Sequence, residues 1–138
     1  MRSIKIQILL SVAVIMIAIG SSCKKAAGPG GRATVKGKVY AYDYDNTQKY
    51  LISKGYSSGD KVFISYGSHT TIDNNVTTGI DGAFEFRYLC KGHYKVFVNS
   101  LDTTFKIKGN DTEYPVIKEF DITSVDQTVT LDDIVINK

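Results

Sequence analysis

Apolar and polar residues alternate with a period of two through most of the chain beyond residue 32. In Val35 to Tyr42, the residues Val35, Gly37, Val39 and Ala41 share one face, while Lys36, Lys38, Tyr40 and Tyr42 share the other. That is the pattern of a strand with one side on a core and one in water. Phe84, Phe86 and Tyr88 alternate with Glu85 and Arg87 in the same way. Tyr94, Val96 and Val98 alternate with Lys95 and Asn99, with Phe97 an apolar intruder on the polar face. Residues 61–66 (KVFISY) are more continuously apolar, as a strand inside a packed sheet would be. Further strands are expected over Thr104 to Lys108, Val116 to Ile122 and Thr128 to Ile136. No sustained apolar stripe at the helical period follows Cys23.

Turn chemistry punctuates these runs. Asp81-Gly82 precedes the Phe84 strand, and both residue types tolerate positive φ. Lys91-Gly92 separates the Phe84 and Tyr94 strands and predicts a hairpin between them. Pro115 stands at a strand start, where a missing N–H does no harm. Val129 and Leu131 share one parity and Ile134 and Ile136 the other, which predicts a β-bulge at Asp132-Asp133. About seven short strands with turns between them predict an all-β fold, a single Ig-like sandwich of two sheets.

The first residues follow a different pattern. Arg2 and Lys5 form a basic head, and Ile6 to Ile19 is apolar except for Gln7 and Ser11. The small residues Gly20, Ser21 and Ser22 then lead to Cys23. A basic head, an apolar stretch of about 7–15 residues and a small-residue exit mark a secretory signal. A membrane span would need about 20 apolar residues. The run Gly20-Ser21-Ser22-Cys23-Lys24-Lys25 resembles the lipobox of bacterial lipoproteins. The resemblance implies a diacylglyceryl group on the Cys23 thiol, cleavage just before Cys23, and a cell-envelope address at the outer membrane of a Gram-negative bacterium. Gly20 departs from the aliphatic residue usual in that family. Ala18-Ile19-Gly20 also has the spacing of an ordinary signal-peptidase site, which would cut after Gly20 and leave Cys23 unmodified.

The expected organisation is therefore a signal helix over residues 1–22, a lipidated Cys23 with a flexible linker over residues 23–32, and one domain over residues 33–138. Lys24 to Arg32 (KKAAGPGGR) is a linker by composition. Loss of Arg2 and Lys5 with the signal lowers the formal net charge from +3 to +1. That balance lacks the basic stripe a nucleic-acid partner requires. The chain has 2 cysteines, so lipidation of Cys23 leaves Cys90 without a disulfide partner and the fold dependent on its core.

Four segments occur in an order that suggests a family: Val35-Lys36-Gly37-Lys38-Val39, Lys61-Val62-Phe63-Ile64, Thr77-Thr78-Gly79-Ile80-Asp81-Gly82-Ala83-Phe84-Glu85-Phe86, and Leu89-Cys90-Lys91-Gly92-His93-Tyr94-Lys95-Val96. They resemble the carboxypeptidase regulatory-like, transthyretin-like (prealbumin-like) group of β-sandwich domains. The resemblance spans Val35 to Val98 and implies a fold with turns and core aromatics at these places. Members are commonly accessory modules, so it implies little chemistry.

Candidate chemistry is sparse. Cys90 and His93 have C-x-x-H spacing, half of a zinc site, but His69 is the only other histidine. A Cys–His nucleophile pair would also need an orienting group and an oxyanion hole. A small cysteine packed at a strand end fits better. Asp43, Asp45 and Asn46 offer oxygens, yet an EF-hand counted from Asp43 would place Gln48 and Lys54 where Gly and Glu belong, which leaves an ordinary solvated loop as the favoured reading and an irregular calcium site as its alternative. Neither a metal, another cofactor nor enzymatic activity is expected. Tyr40, Tyr42 and Tyr44 with Asp43 and Asp45 form the candidate ligand or interaction surface, within a tyrosine-rich stretch that also holds Tyr50, Tyr56 and Tyr66. Two roles follow. The first is a non-catalytic structural or protein–protein interaction module, anchored to the membrane through Cys23 and facing an unknown envelope protein. The second is a carbohydrate-binding accessory lipoprotein that stacks sugar on exposed tyrosines.

Overall fold

The computed structural model describes residues 26–103 and 112–138. Among these residues lie nine strands and no helix. They are β1 (Pro29–Tyr44), β2 (Leu51–Tyr56), β3 (Lys61–Tyr66), β4 (Asn74–Thr77), β5 (Ala83–Leu89), β6 (Gly92–Leu101), β7 (Glu113–Ile122), β8 (Thr128–Thr130) and β9 (Ile134–Asn137). The expected signal, Cys23 and the expected Thr104 to Lys108 strand lie outside the described residues.

The strands form two sheets facing each other, the all-β sandwich that the alternation predicts. A four-stranded antiparallel sheet runs β4-β3-β6-β7. A five-stranded sheet is organised around β1, with β2 and β5 antiparallel to it and β8 and β9 parallel. The Val39 N–H donates to Gly82 C=O, and Val39 C=O accepts from the Ser57 N–H. Odd-numbered residues of β1 therefore direct their backbone groups to β2 and β5. Even-numbered ones serve the other edge, where Tyr42 C=O accepts from the Lys138 N–H.

The core sits between the sheets and follows the expected alternation. Val35, Val39 and Ala41 of β1 are buried, with Val62 and Ile64 of β3, Phe84 and Phe86 of β5, and Tyr94, Val96 and Val98 of β6. Phe97 faces away from this core. It stacks on Phe63 of the neighbouring strand with ring centroids 5.2 Å apart, and it pairs with Ile117 on its other side. Such cross-strand aromatic pairs stabilise a sheet by about 0.2–1 kcal/mol each, so the outer apolar residue has a local reason.

Several expectations change. The Lys91-Gly92 turn is not a hairpin, because β5 belongs to the β1 sheet and β6 to the other. The chain crosses between layers there, burying Leu89 and Cys90 as it passes. Asp81-Gly82 is a tight turn, with the Gly82 N–H on Gly79 C=O at 2.9 Å, but it too links the two sheets, joining β4 to β5. Tyr88 was expected on the core face, yet it is 68% exposed. Its φ of 62° turns the strand end over, and Leu89 fills the core instead.

Pro29–Arg32 was expected in the linker and lies in β1. A Cβ on Gly31 would stand 1.9 Å from the Leu89 carbonyl oxygen, so this glycine permits close approach of two backbones. The change of parity near the C-terminus is present, but as a break rather than one bulge. Residues 131–133 separate β8 from β9, and Ile134 and Ile136 are buried beyond it.

Candidate functional site

The even-numbered residues of β1 face outward from the five-stranded sheet. Tyr40 and Tyr42 meet edge to face, with ring centroids 5.6 Å apart and planes at 65°. The β1–β2 register sets Tyr40 opposite Tyr56, whose ring meets Tyr40 at 5.5 Å and 83°. Antiparallel pairing puts directly opposed side chains on one face, which is why residues so distant in sequence form one cluster. Tyr42 is opposite Lys54 across the same ladder, and on the β9 side Tyr40 pairs with Val135. Tyr56 is 50% exposed, Ile52 70% and Val135 47%, whereas Tyr40 and Tyr42 are half-buried. The outcome is a tyrosine and aliphatic face, open to solvent, over two strand edges of β1.

Charged groups border this face. Lys38 Nζ lies 4.6 Å above the Tyr56 ring centroid and 3.2 Å from Asp81. The Tyr56 hydroxyl donates to Asp133 at 3.2 Å. The Ala83 backbone N–H, and then Lys38, hold the Asp81 carboxyl below its ordinary range. Beside them runs an open groove of about 930 Å³ whose floor includes Phe84 and Leu131 and whose rim includes Lys36, Glu85 and Asp133.

The candidate residues chosen from sequence therefore separate. Tyr40 and Tyr42 come together and gain Tyr56. Asp43 has the opposite parity, and its carboxylate accepts from the Ser53 hydroxyl at 2.8 Å. Asp45 is turned into its own loop. It accepts from the Thr47 hydroxyl and from the backbone N–H groups of Lys49 and Tyr50 at 2.9 and 3.0 Å. The Thr47 hydroxyl, followed by the Tyr50 N–H, holds the Asp45 carboxyl down at about 2. That carboxylate builds the turn into β2, as Asp commonly does. Tyr44 follows a register shift at the end of the ladder and bonds through its N–H to Lys138 C=O.

Cys90 is buried, with its thiol 3.4 Å from Pro29 C=O. His93 lies half-buried, 3.0 Å from Asp121. Among the described residues, no three His, Cys, Asp or Glu side chains converge on a common point. Ile52, Val135 and Asp133 were missed from sequence. Their neighbours come from register rather than spacing, and only the Asp-rich 132–133 break hinted at them.

No protein-family model matches the chain. No curated protein matches it either. Among solved structures, the chain is similar to a Pseudomonas aeruginosa protein proposed to bind carbohydrate, at 12% identity and a TM-score of 0.47, over 82% of this chain and 92% of the other.

Proposed function

We propose that this protein is a lipid-anchored module of the cell envelope that acts without catalysis, by engaging a protein partner through the outer face of its five-stranded sheet. The anchor is Cys23, in keeping with the lipobox resemblance, and its address is the outer membrane of a Gram-negative bacterium. The domain is of the carboxypeptidase regulatory-like kind, in keeping with its motifs. The observation that carries the reading is the cluster of Tyr40, Tyr42 and Tyr56 on the outer face, half-exposed at Tyr56 and joined by Val135 beside Tyr40. Tyrosine offers a large apolar area with a polar end and few rotors to freeze, which suits contact surfaces that are wet when free. The rings lie edge to face, and Lys38 covers one side of Tyr56, so the cluster is no flat shelf for a sugar ring.

One observation favours a glycan as the second reading. Lys38, Asp81 and Asp133 place hydrogen-bonding groups around a half-exposed tyrosine beside a groove, an arrangement suited to sugar hydroxyls. The test compares the native chain with a Tyr40→Ser/Tyr56→Ser variant in two assays, capture of partners from envelope extract and binding to a glycan array. A protein captured by the native chain and lost with the variant is the expected result. Glycan binding that is lost with the variant, with no protein captured, replaces the first reading by the second.

A further inference from the structure

The folded domain begins close behind Cys23. Ala27 packs against the core. Gly92 makes room for it, since a Cβ there would lie 2.6 Å from the Ala27 Cβ. The Gly28 N–H donates to the Tyr94 hydroxyl at 2.9 Å, and its C=O accepts the Cys90 N–H at 2.8 Å. The chain is therefore bound to the domain from Ala27 onward. Ala27 is four residues past Cys23, a separation that spans at most about 14 Å when fully extended. Acyl chains on Cys23 would keep this end of the sandwich at the bilayer surface.

Three connections form that end. Residues 67–73 join β3 to β4, 90–91 join β5 to β6, and 123–127 join β7 to β8. The registers gather them beside the entering chain: Tyr66 pairs with Tyr94, Pro29 with Leu89, and Gly92 with Ile122. Each connection has an exposed apolar residue in it or next to it, namely Ile72, Tyr88 and Val125. Tyr88 is held at φ 62°, a conformation that costs a tyrosine free energy, with its side chain in solvent. The acids of this end are engaged, Asp126 with Arg32 at 2.7 Å, Asp121 with His93 at 3.0 Å, and Asp73 with the Tyr66 N–H at 2.7 Å. Lys91, in the crossover, is exposed. Apolar and tyrosine side chains around a lysine suit the interface of a bilayer, where apolar burial and attraction to anionic lipid add together. Ile80 is exposed too, but it lies in the β4–β5 turn beside Val39, well along β1 from the anchor.

We propose that the domain rests on the membrane surface through Ile72, Tyr88 and Val125, with Lys91 against lipid phosphates. This rests on the lipid-anchor reading given above and adds a second contact and an orientation to it. β1 then rises from the bilayer, and at about 3.3 Å per residue Tyr40 stands roughly 30 Å above the contact end. The tyrosine cluster is carried clear of the lipid, where a partner can reach it.

The test uses the full lipidated chain, its acyl mass confirmed first, in nanodiscs of phosphatidylethanolamine and phosphatidylglycerol. Magnetisation transfer from lipid protons is read at the Ile72 and Val125 methyls and the Tyr88 ring, with the Ile80 methyls as the far-end control. Transfer to the first three and none to Ile80 is the expected result. Lys91→Glu should weaken all three transfers by about twofold or more in these discs, and unchanged transfer removes Lys91 from the contact. Equal transfer to Ile80 and Ile72 overturns the proposal, because the domain then turns freely on its tether. No transfer to any of them from an acylated chain also overturns it and leaves the anchor reading standing. A chain without acyl mass removes both.

Discussion

Replacing Tyr94 by phenylalanine removes one oxygen from the middle of the domain and leaves the ring. Tyr94 is fully buried. Its hydroxyl donates to Cys90 C=O at 2.7 Å and accepts the Gly28 N–H at 2.9 Å. Its ring stacks on Phe120 at 5.6 Å and meets Tyr66 at 5.8 Å, contacts that phenylalanine keeps. The variant thus removes these two hydrogen bonds, together with the longer 3.3 Å approach of the hydroxyl to Gly28 C=O. A buried polar group left without its partner costs about 1–3 kcal/mol. The Cys90 carbonyl and the Gly28 amide both lose theirs, so a total of about 2–6 kcal/mol is expected. With a urea slope of about 2 kcal/mol per molar for a small domain, the unfolding midpoint falls by about 1–3 M.

The change also has a place. Gly28 C=O accepts the Cys90 N–H, so the hydroxyl clamps the entering chain to the β5–β6 crossover. Amide exchange in the variant should accelerate at residues 27–31 before it does in β3. Burial raises the Tyr94 hydroxyl above its ordinary 10.0. Stability linked to that group is therefore full below pH 10 and lost as pH rises through the higher folded value, a component the variant lacks. An unfolding free energy unchanged to within about 0.5 kcal/mol would refute the clamp.

A Cβ on Gly37 would lie 2.7 Å from the end of the buried Phe84 ring and 3.4 Å from Leu131 Cβ. Gly37→Ala should then destabilise by about 1–3 kcal/mol in urea unfolding. Ile134 is fully buried and Val135 is 47% exposed. Ile134→Ala should cost about 2–5 kcal/mol and Val135→Ala less than about 0.5 kcal/mol, with the opposite order contradicting the facing of β9. Asp45 is held at about 2 against an ordinary 3.8, so its contribution to the 45–50 loop is present above the ordinary value and lost as pH falls toward the lower one. Carboxyl NMR titration should follow that midpoint, and Thr47→Ala should raise it toward 3.8.

Strands with one face on the core were legible because burial writes a period of two into the sequence. β6 follows it residue by residue and β1 does so from Ala33 onward, while β3 is read instead from its continuous apolar run. β2 and β4 were not legible, since nearly all their residues are exposed or half-exposed and their order comes from backbone pairing. The β5–β6 connection looked like a hairpin because glycine marks a turn without saying whether the chain stays in its sheet. The glycines of Lys24 to Arg32 read as linker, although Gly31 serves contact with Leu89. For the site, the alternation already grouped Tyr40 with Tyr42, but Asp43 was placed with them although its odd position turns it to the other face. Tyr56 joined them through the β1–β2 register, and Asp45 left them through a local turn, neither of which is a matter of periodicity.

The reading of this domain as a tethered envelope module is tested most directly by the intact mass of the chain extracted from membranes. The account predicts a polypeptide beginning at Cys23 and carrying added acyl mass. An unmodified chain beginning at Ser21, recovered from the soluble fraction, would contradict it.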